Sequence, residues 1–269
     1  MPTKRWFRVR GAVRERILFG LIATSGIGMF VWPLFISAQA AQQVSVAQTL
    51  FTVLMPGLLA LAAVEFSTGS LNSRRIAVLS VLIAVNSVVR MLGAGIAGIE
   101  TVFFLVVIAG YVFGPGFGFL LGSASLFTSA LLVGGLGPWL PFQMMAAGLV
   151  GLCAGALPRT RFTRTGLIAY AILASFVYGA LMTLWNWPFI AGTGTSISYL
   201  PGAGPIENLR RFFGYELITG GLLWDAGRAI TTSVLIGLTA PALITTLNRA
   251  ATRAGFEVTV EGRSPAKGG

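Results

Sequence analysis

An all-α integral membrane protein of about eight spans is the fold this sequence predicts, and three observations predict it. Of 269 residues, 55% are hydrophobic and only 10% charged, whereas a soluble domain carries about 25% charged residues. The apolar residues gather in runs close to the roughly 20 residues that cross a hydrocarbon core of about 30 Å. Lys and Arg sit in the tails and the short segments between those runs, where they act as topology determinants. A net charge of +11 placed this way points to a membrane rather than to nucleic acid.

Residues 1–16 form a basic N-terminus: Lys4, Arg5, Arg8, Arg10, Arg14 and Arg16 against Glu15 alone. The first apolar run, 17–36, precedes Ser37-Ala38-Gln39-Ala40, which resembles a signal-peptidase site. A cleaved signal peptide is the alternative, but the run is longer than the usual core of about 7–15 residues, so a retained helix is expected. The second run, 46–66, contains Met55-Pro56-Gly57, a kink that neighbouring helices support. Further runs follow at 76–92, 96–113, 117–136, 141–157 and 166–187. Gly114-Pro115-Gly116 separates two of them as a tight reversal, and Gly137-Pro138-Trp139 opens the next. A Gly/Pro-rich polar segment, 188–213, reads as an outer loop or lid. The last run, 215–247, is too long for one simple crossing, and the tail from Asn248 reads as disordered.

Eight spans place both termini in the cytoplasm when the loops are assigned by charge. Arg74, Arg75, Arg159, Arg161, Arg164, Arg249 and Arg253 then share the cytoplasmic face, and only Arg210 and Arg211 fall outside. That asymmetry is the one expected of a plasma-membrane protein. A rise of about 1.5 Å per residue carries Asn86, Arg90, Trp139, Gln143, Trp185, Asn186, Asp225 and Arg228 to the outer ends of their helices. Asp225 and Arg228, three apart, share a face and can pair. The reading is an outward-facing binding cavity for a polar or amphipathic solute, since charges at membrane depth face cavities or each other. The competing reading is an aromatic belt with solvated rim charges, which applies with equal force to Glu100, Arg210, Arg211, Trp185 and Trp187.

Small residues recur at a spacing of four: Ser80 and Ala84, Gly118 and Gly122, Gly151 and Gly155. Such spacing lets helices approach closely; on the 76–92 helix it also suits a surface for another membrane protein. The chain has no Gly-x-x-x-x-Gly-Lys-[Ser/Thr] loop, no His and one cysteine, Cys153. These absences exclude P-loop ATP binding, a Cys/His metal site and an internal disulfide. No cofactor and no enzymatic activity are expected.

The blocks Glu100-Thr-Val-Phe-Phe, Tyr111-Val-Phe-Gly-Pro-Gly-Phe-Gly-Phe-Leu-Leu-Gly, Gly137-Pro-Trp-Leu-Pro-Phe-Gln-Met and Trp224-Asp-Ala-Gly-Arg-Ala-Ile follow one another in order. Over residues 74–249 this order resembles the substrate-specific (S) components of energy-coupling factor (ECF) vitamin transporters, in an actinobacterial-type branch. The resemblance implies a six-helix S-component core, here residues 69–250, with two additional N-terminal transmembrane helices in 17–68 and a tail at 251–269. It implies capture of a vitamin or related micronutrient at the outer face, with cobalamin or another corrinoid preferred by branch. It also implies partners: a transmembrane coupling subunit and two ATPase subunits that drive uptake. The family's small-residue docking motif, often Ala-x-x-x-Ala, corresponds to Ser80-Val-Leu-Ile-Ala84, a departure at its first position. A stand-alone secondary transporter and a non-transporting structural membrane protein are the rival readings.

Overall fold

The computed structural model describes residues 17, 20, 21, 23–35, 73–93, 98–159 and 163–254, and among them every regular element is a helix. Residues 23–31 form α1, which ends in the 3-10 turn Trp32–Leu34. Then come α2 (Ser73–Leu92), α3 (Val102–Phe113), α4 (Pro115–Val133), α5 (Leu140–Gly155), α6 (Thr163–Ile190), α7 (Pro205–Thr219) and α8 (Gly221–Arg253). The all-helical membrane class is thus observed. The basic N-terminus, the second run at 46–66 and most of the C-terminal tail lie outside the described residues.

Four helices, α2, α4, α6 and α8, are long and apolar enough to cross a membrane. The other two core helices are shorter than their apolar runs. α3 has 12 residues and α5 has 16, about 18 and 24 Å of helix. Of the expected span at 96–113, the described residues 98–101 are not helical and the helix begins at Val102. Residues 98–101 fold back instead: the Thr101 hydroxyl donates to the Val89 carbonyl at 2.6 Å. Every residue of α3 except Phe104 is buried. A helix apolar on all sides belongs in the middle of a bundle, and α3 contacts α4, α5, α6 and α8 there.

Gly114 has φ +101°, which a side chain would oppose, and Pro115 opens α4 where its missing N–H costs nothing. This reversal brings α4 against α3. The α4–α5 pair is the most extensive in the fold, and its glycines explain why. A Cβ on Gly118 would run into the Gly151 carbonyl, and one on Gly122 into the Ala147 carbonyl. One on Gly151 would strike Gly118, and one on Gly155 would strike Pro115. The four-residue spacing seen in the sequence is a close helix–helix seam.

The expected last run, 215–247, divides at Gly220 (φ +82°) into amphipathic α7 and spanning α8. The segment 188–213 is correspondingly no simple loop. α6 continues through Pro188 to Ile190, and α7 begins at Pro205. α8 also runs to Arg253, so the polar residues from Asn248 to Arg253 are helical rather than part of a disordered tail. α1 packs outside the core: Phe30 is fully buried, edge-on to Phe142 with ring centroids 5.7 Å apart, and Trp32 meets Phe189.

Candidate functional site

The bundle has two chemically distinct ends. At one, Arg74 reaches the Arg253 carbonyl and the Tyr111 hydroxyl meets Thr163 at 3.0 Å. Arg159 donates there to the carbonyls of Tyr111 and Val112 at 3.2 and 3.3 Å, capping the C-terminus of α3. At the other end lie Arg90, Glu100, Ser129, Asp225 and Arg228. Arg74, Arg159 and Arg253, all outside the apolar runs, thus share one end of the bundle.

Arg90, in the last turn of α2, donates to Ser129 Oγ on α4 at 3.0 Å, and its Nε faces Glu100 Oε1 at 3.8 Å. Asp225 and Arg228, one turn apart on α8, form an ion pair at 2.5 Å. Arg228 also donates to the Ser175 carbonyl at 3.1 Å and lies 4.9 Å from the Tyr178 ring centroid. Both arginines lie within Coulombic reach of Glu100, and Tyr178 feels all four charges. Three of the expected residues, Arg90, Asp225 and Arg228, are thus placed with a fourth, Glu100, which the loop 98–101 positions near both guanidinium groups. Gly98, with φ +75°, lets that loop lie directly against the Trp224 carbonyl at the start of α8.

Asn86 is fully buried one turn before Arg90, and neither atom of its amide has a hydrogen-bond partner. Arg90 Nε, Glu100 Oε1 and Arg228 Nε are buried without a hydrogen bond as well. Native interiors leave few such groups, and four residues of this cluster carry them.

The remaining expected residues lie at the start of α5 and near the end of α6. Trp185 is buried and stacked on Phe142, with centroids 3.8 Å apart and planes 4° from parallel. Its indole N–H has no partner. Trp139 caps α5 half-exposed, its ring folded over Gly137. Gln143 and Asn186 are partly buried. Among the described residues, no hydrogen bond or ion pair joins Trp139, Gln143 or Asn186 to the charged cluster.

Trp187 is turned into the protein. It is fully buried, donates to the Ile197 carbonyl at 3.0 Å, and meets Tyr199 and Phe212 edge-on. It anchors the 191–204 segment. Arg211 does related work, pairing with Glu207 at 2.7 Å and donating to the Thr195 carbonyl at 3.2 Å. Next to this segment, Pro33, Leu34, Phe35, Tyr199, Gly202, Ala203 and Pro205 line a pocket of 270 Å³, none of them an expected site residue.

Three participants were missed in the sequence. Tyr178 carries Arg228 on its ring. Gly179 has no room for a side chain, because a Cβ would fall on the Asp225 carboxylate; a glycine in the middle of a long apolar helix was the available signal. Glu216, on α7, is buried against Gly221. Its pKa is raised, mainly by burial; the Thr183 hydroxyl and Arg228 oppose the rise and Asp225 adds to it.

Ser80 and Ala84 are exposed on α2, on a face continued by Val81, Val85 and Val88. That small-residue surface is not used by the described fold.

A helical bundle with spanning helices, and with a buried charged cluster gathered at one end, defines a multi-pass membrane protein equipped to hold a small polar molecule. The particular family follows from comparison with known proteins. Residues 74–248 match the family model described as ECF transporter, substrate-specific component. The match covers well over half of the chain, and the chain belongs to that family. Searches of curated proteins and of solved structures found no match. Members are transporter subunits, so the chain's class is transport rather than catalysis.

Proposed function

We propose that this chain captures a vitamin-like micronutrient at the outer face of the plasma membrane and delivers it to an ECF coupling subunit driven by two ATPase subunits. The carrying observation is the cluster Arg90–Glu100–Arg228–Asp225 with Asn86, buried at the end of the bundle opposite the basic residues. By the charge asymmetry of the loops, that end faces outward. Mixed carboxylates, guanidinium groups and a free amide suit a solute carrying both hydrogen-bond donors and acceptors. The buried indole of Trp185 and the half-exposed ring of Trp139 supply aromatic surface on the neighbouring wall. Ser80 and Ala84, exposed together on α2, are the proposed docking face for the coupling subunit. A corrinoid is the first ligand to test, on the strength of the Gly137-Pro-Trp-Leu-Pro-Phe-Gln-Met block.

The test is to purify the chain from membranes and identify any small molecule it retains by mass spectrometry. One vitamin-like solute, bound without ATP, is expected. Uptake by the chain alone, driven by an ion gradient, would instead support a secondary transporter. Arg90→Ala is expected to weaken solute affinity at least about tenfold, the effect of losing one or two charge-assisted bonds. The variant should still fold, because Arg228 remains within reach of Glu100. Unchanged affinity would remove Arg90 from the site.

A further inference from the structure

α7 has three faces rather than two. Asn208, Phe212 and Glu216 are buried against the bundle. At about 100° per residue, Ile206, Leu209, Phe213 and Leu217 fall in one arc roughly 80° wide beside that buried face, and all four are exposed. Glu207, Arg210 and Gly214 fall beyond the arc, on the side away from the core. Ile218 lies outside it, in the last turn before Gly220.

Water does not account for the apolar arc. Ile206 is 86% exposed and Leu217 68% exposed, and a contiguous stripe of this kind marks a contact surface. Beyond Gly220, spanning α8 carries an exposed apolar face of its own, with Leu223, Ile230, Val234 and Leu238. That face of α8 meets acyl chains. An apolar arc on the helix that leads directly into α8, bordered by Arg210 and Glu207, fits the boundary between acyl chains and headgroups.

We propose that α7 is an interfacial helix: its apolar arc rests in the outer leaflet while Arg210 stands among the headgroups. Such helices bind by burying apolar area beside a polar face. The partner is the lipid surface itself. α7 then touches lipid on one flank and holds Glu216 next to the charged cluster on another.

Site-directed spin labelling of the full chain tests this in vesicles of phosphatidylethanolamine and phosphatidylglycerol. Nitroxides are placed through Phe213→Cys, Leu217→Cys and Arg210→Cys, each with Cys153→Ala. At 213 and 217, dissolved oxygen is expected to relax the label more than a water-soluble nickel chelate does. At 210 the order should reverse. Dominance of nickel at all three positions would put α7 in water and overturn the proposal. Dominance of oxygen at all three would submerge it, and weak relaxation by both reagents at 213 and 217 would show protein covering the arc. Either result overturns it equally.

Discussion

Asp225→Ala is expected to destabilise the purified protein by about 3–5 kcal/mol, the cost of leaving a buried charge without its partner. Asp225 is 3% exposed, and its carboxylate lies over Gly179, where no side chain could fit. Arg228 would lose its ion pair and keep the Ser175 carbonyl and the Tyr178 ring. The expected readout is a lower melting temperature in detergent together with loss of solute binding. Arg228→Leu in the same chain removes the orphaned guanidinium, so the double variant should recover much of the lost stability. A pair that serves only the fold predicts that this rescued protein still binds and supports uptake. A pair that contacts solute predicts a folded protein that does neither. Retained uptake in the double variant would take Asp225 and Arg228 out of the site.

The residues that were legible in advance share one property: their meaning is carried by local spacing. Gly118/Gly122 and Gly151/Gly155 announce close packing because four residues bring two positions onto one helix face. Asp225 and Arg228 announce a pair for the same reason. Arg74, Arg159 and Arg253 announce their common end because charge is excluded from the hydrocarbon. What was not legible depends on contacts distant in sequence. Glu100 reads as a rim carboxylate until the 98–101 loop folds back between α2 and α8. Trp187 reads as well for an aromatic belt as for a cavity wall until Tyr199, Ile197 and Phe212 enclose it. The break at Gly220 was hidden by apolar residues on both sides, Leu217 and Ile218 before it and Leu222 and Leu223 after. An amphipathic helix followed by a spanning one resembles a single overlong run when only hydropathy is read. The shortness of α3 was hidden in the same way, since Ile99 prolongs its apolar run without joining the helix.

The largest structural effect is expected at Gly151, which is packed from two sides. A Cβ at Gly110 on α3 would strike the Gly151 carbonyl, a Cβ at Gly118 on α4 would strike it too, and one on Gly151 itself would strike Gly118. The clash is with backbone rather than with flexible side-chain ends, so no rotamer change can relieve it. Gly151→Leu would therefore separate α5 from α4. Overpacking commonly costs about 1–3 kcal/mol and sometimes more; here it also forfeits the contacts of Gly122 and Gly148 along the same seam. The expected result is loss of most monodisperse protein on gel filtration, with no measurable solute binding. Gly166→Leu is the matching control. Gly166 is exposed near the start of α6, with open space where a Cβ would go, and leucine is the better helix former by several tenths of a kcal/mol. That variant should keep its yield and melting temperature. Equal behaviour of the two variants would mean that the α4–α5 seam is looser than its glycines indicate. The cluster at Arg90 and Asp225 would then be held by α2, α6 and α8 without the tight α3–α4–α5 core beneath it.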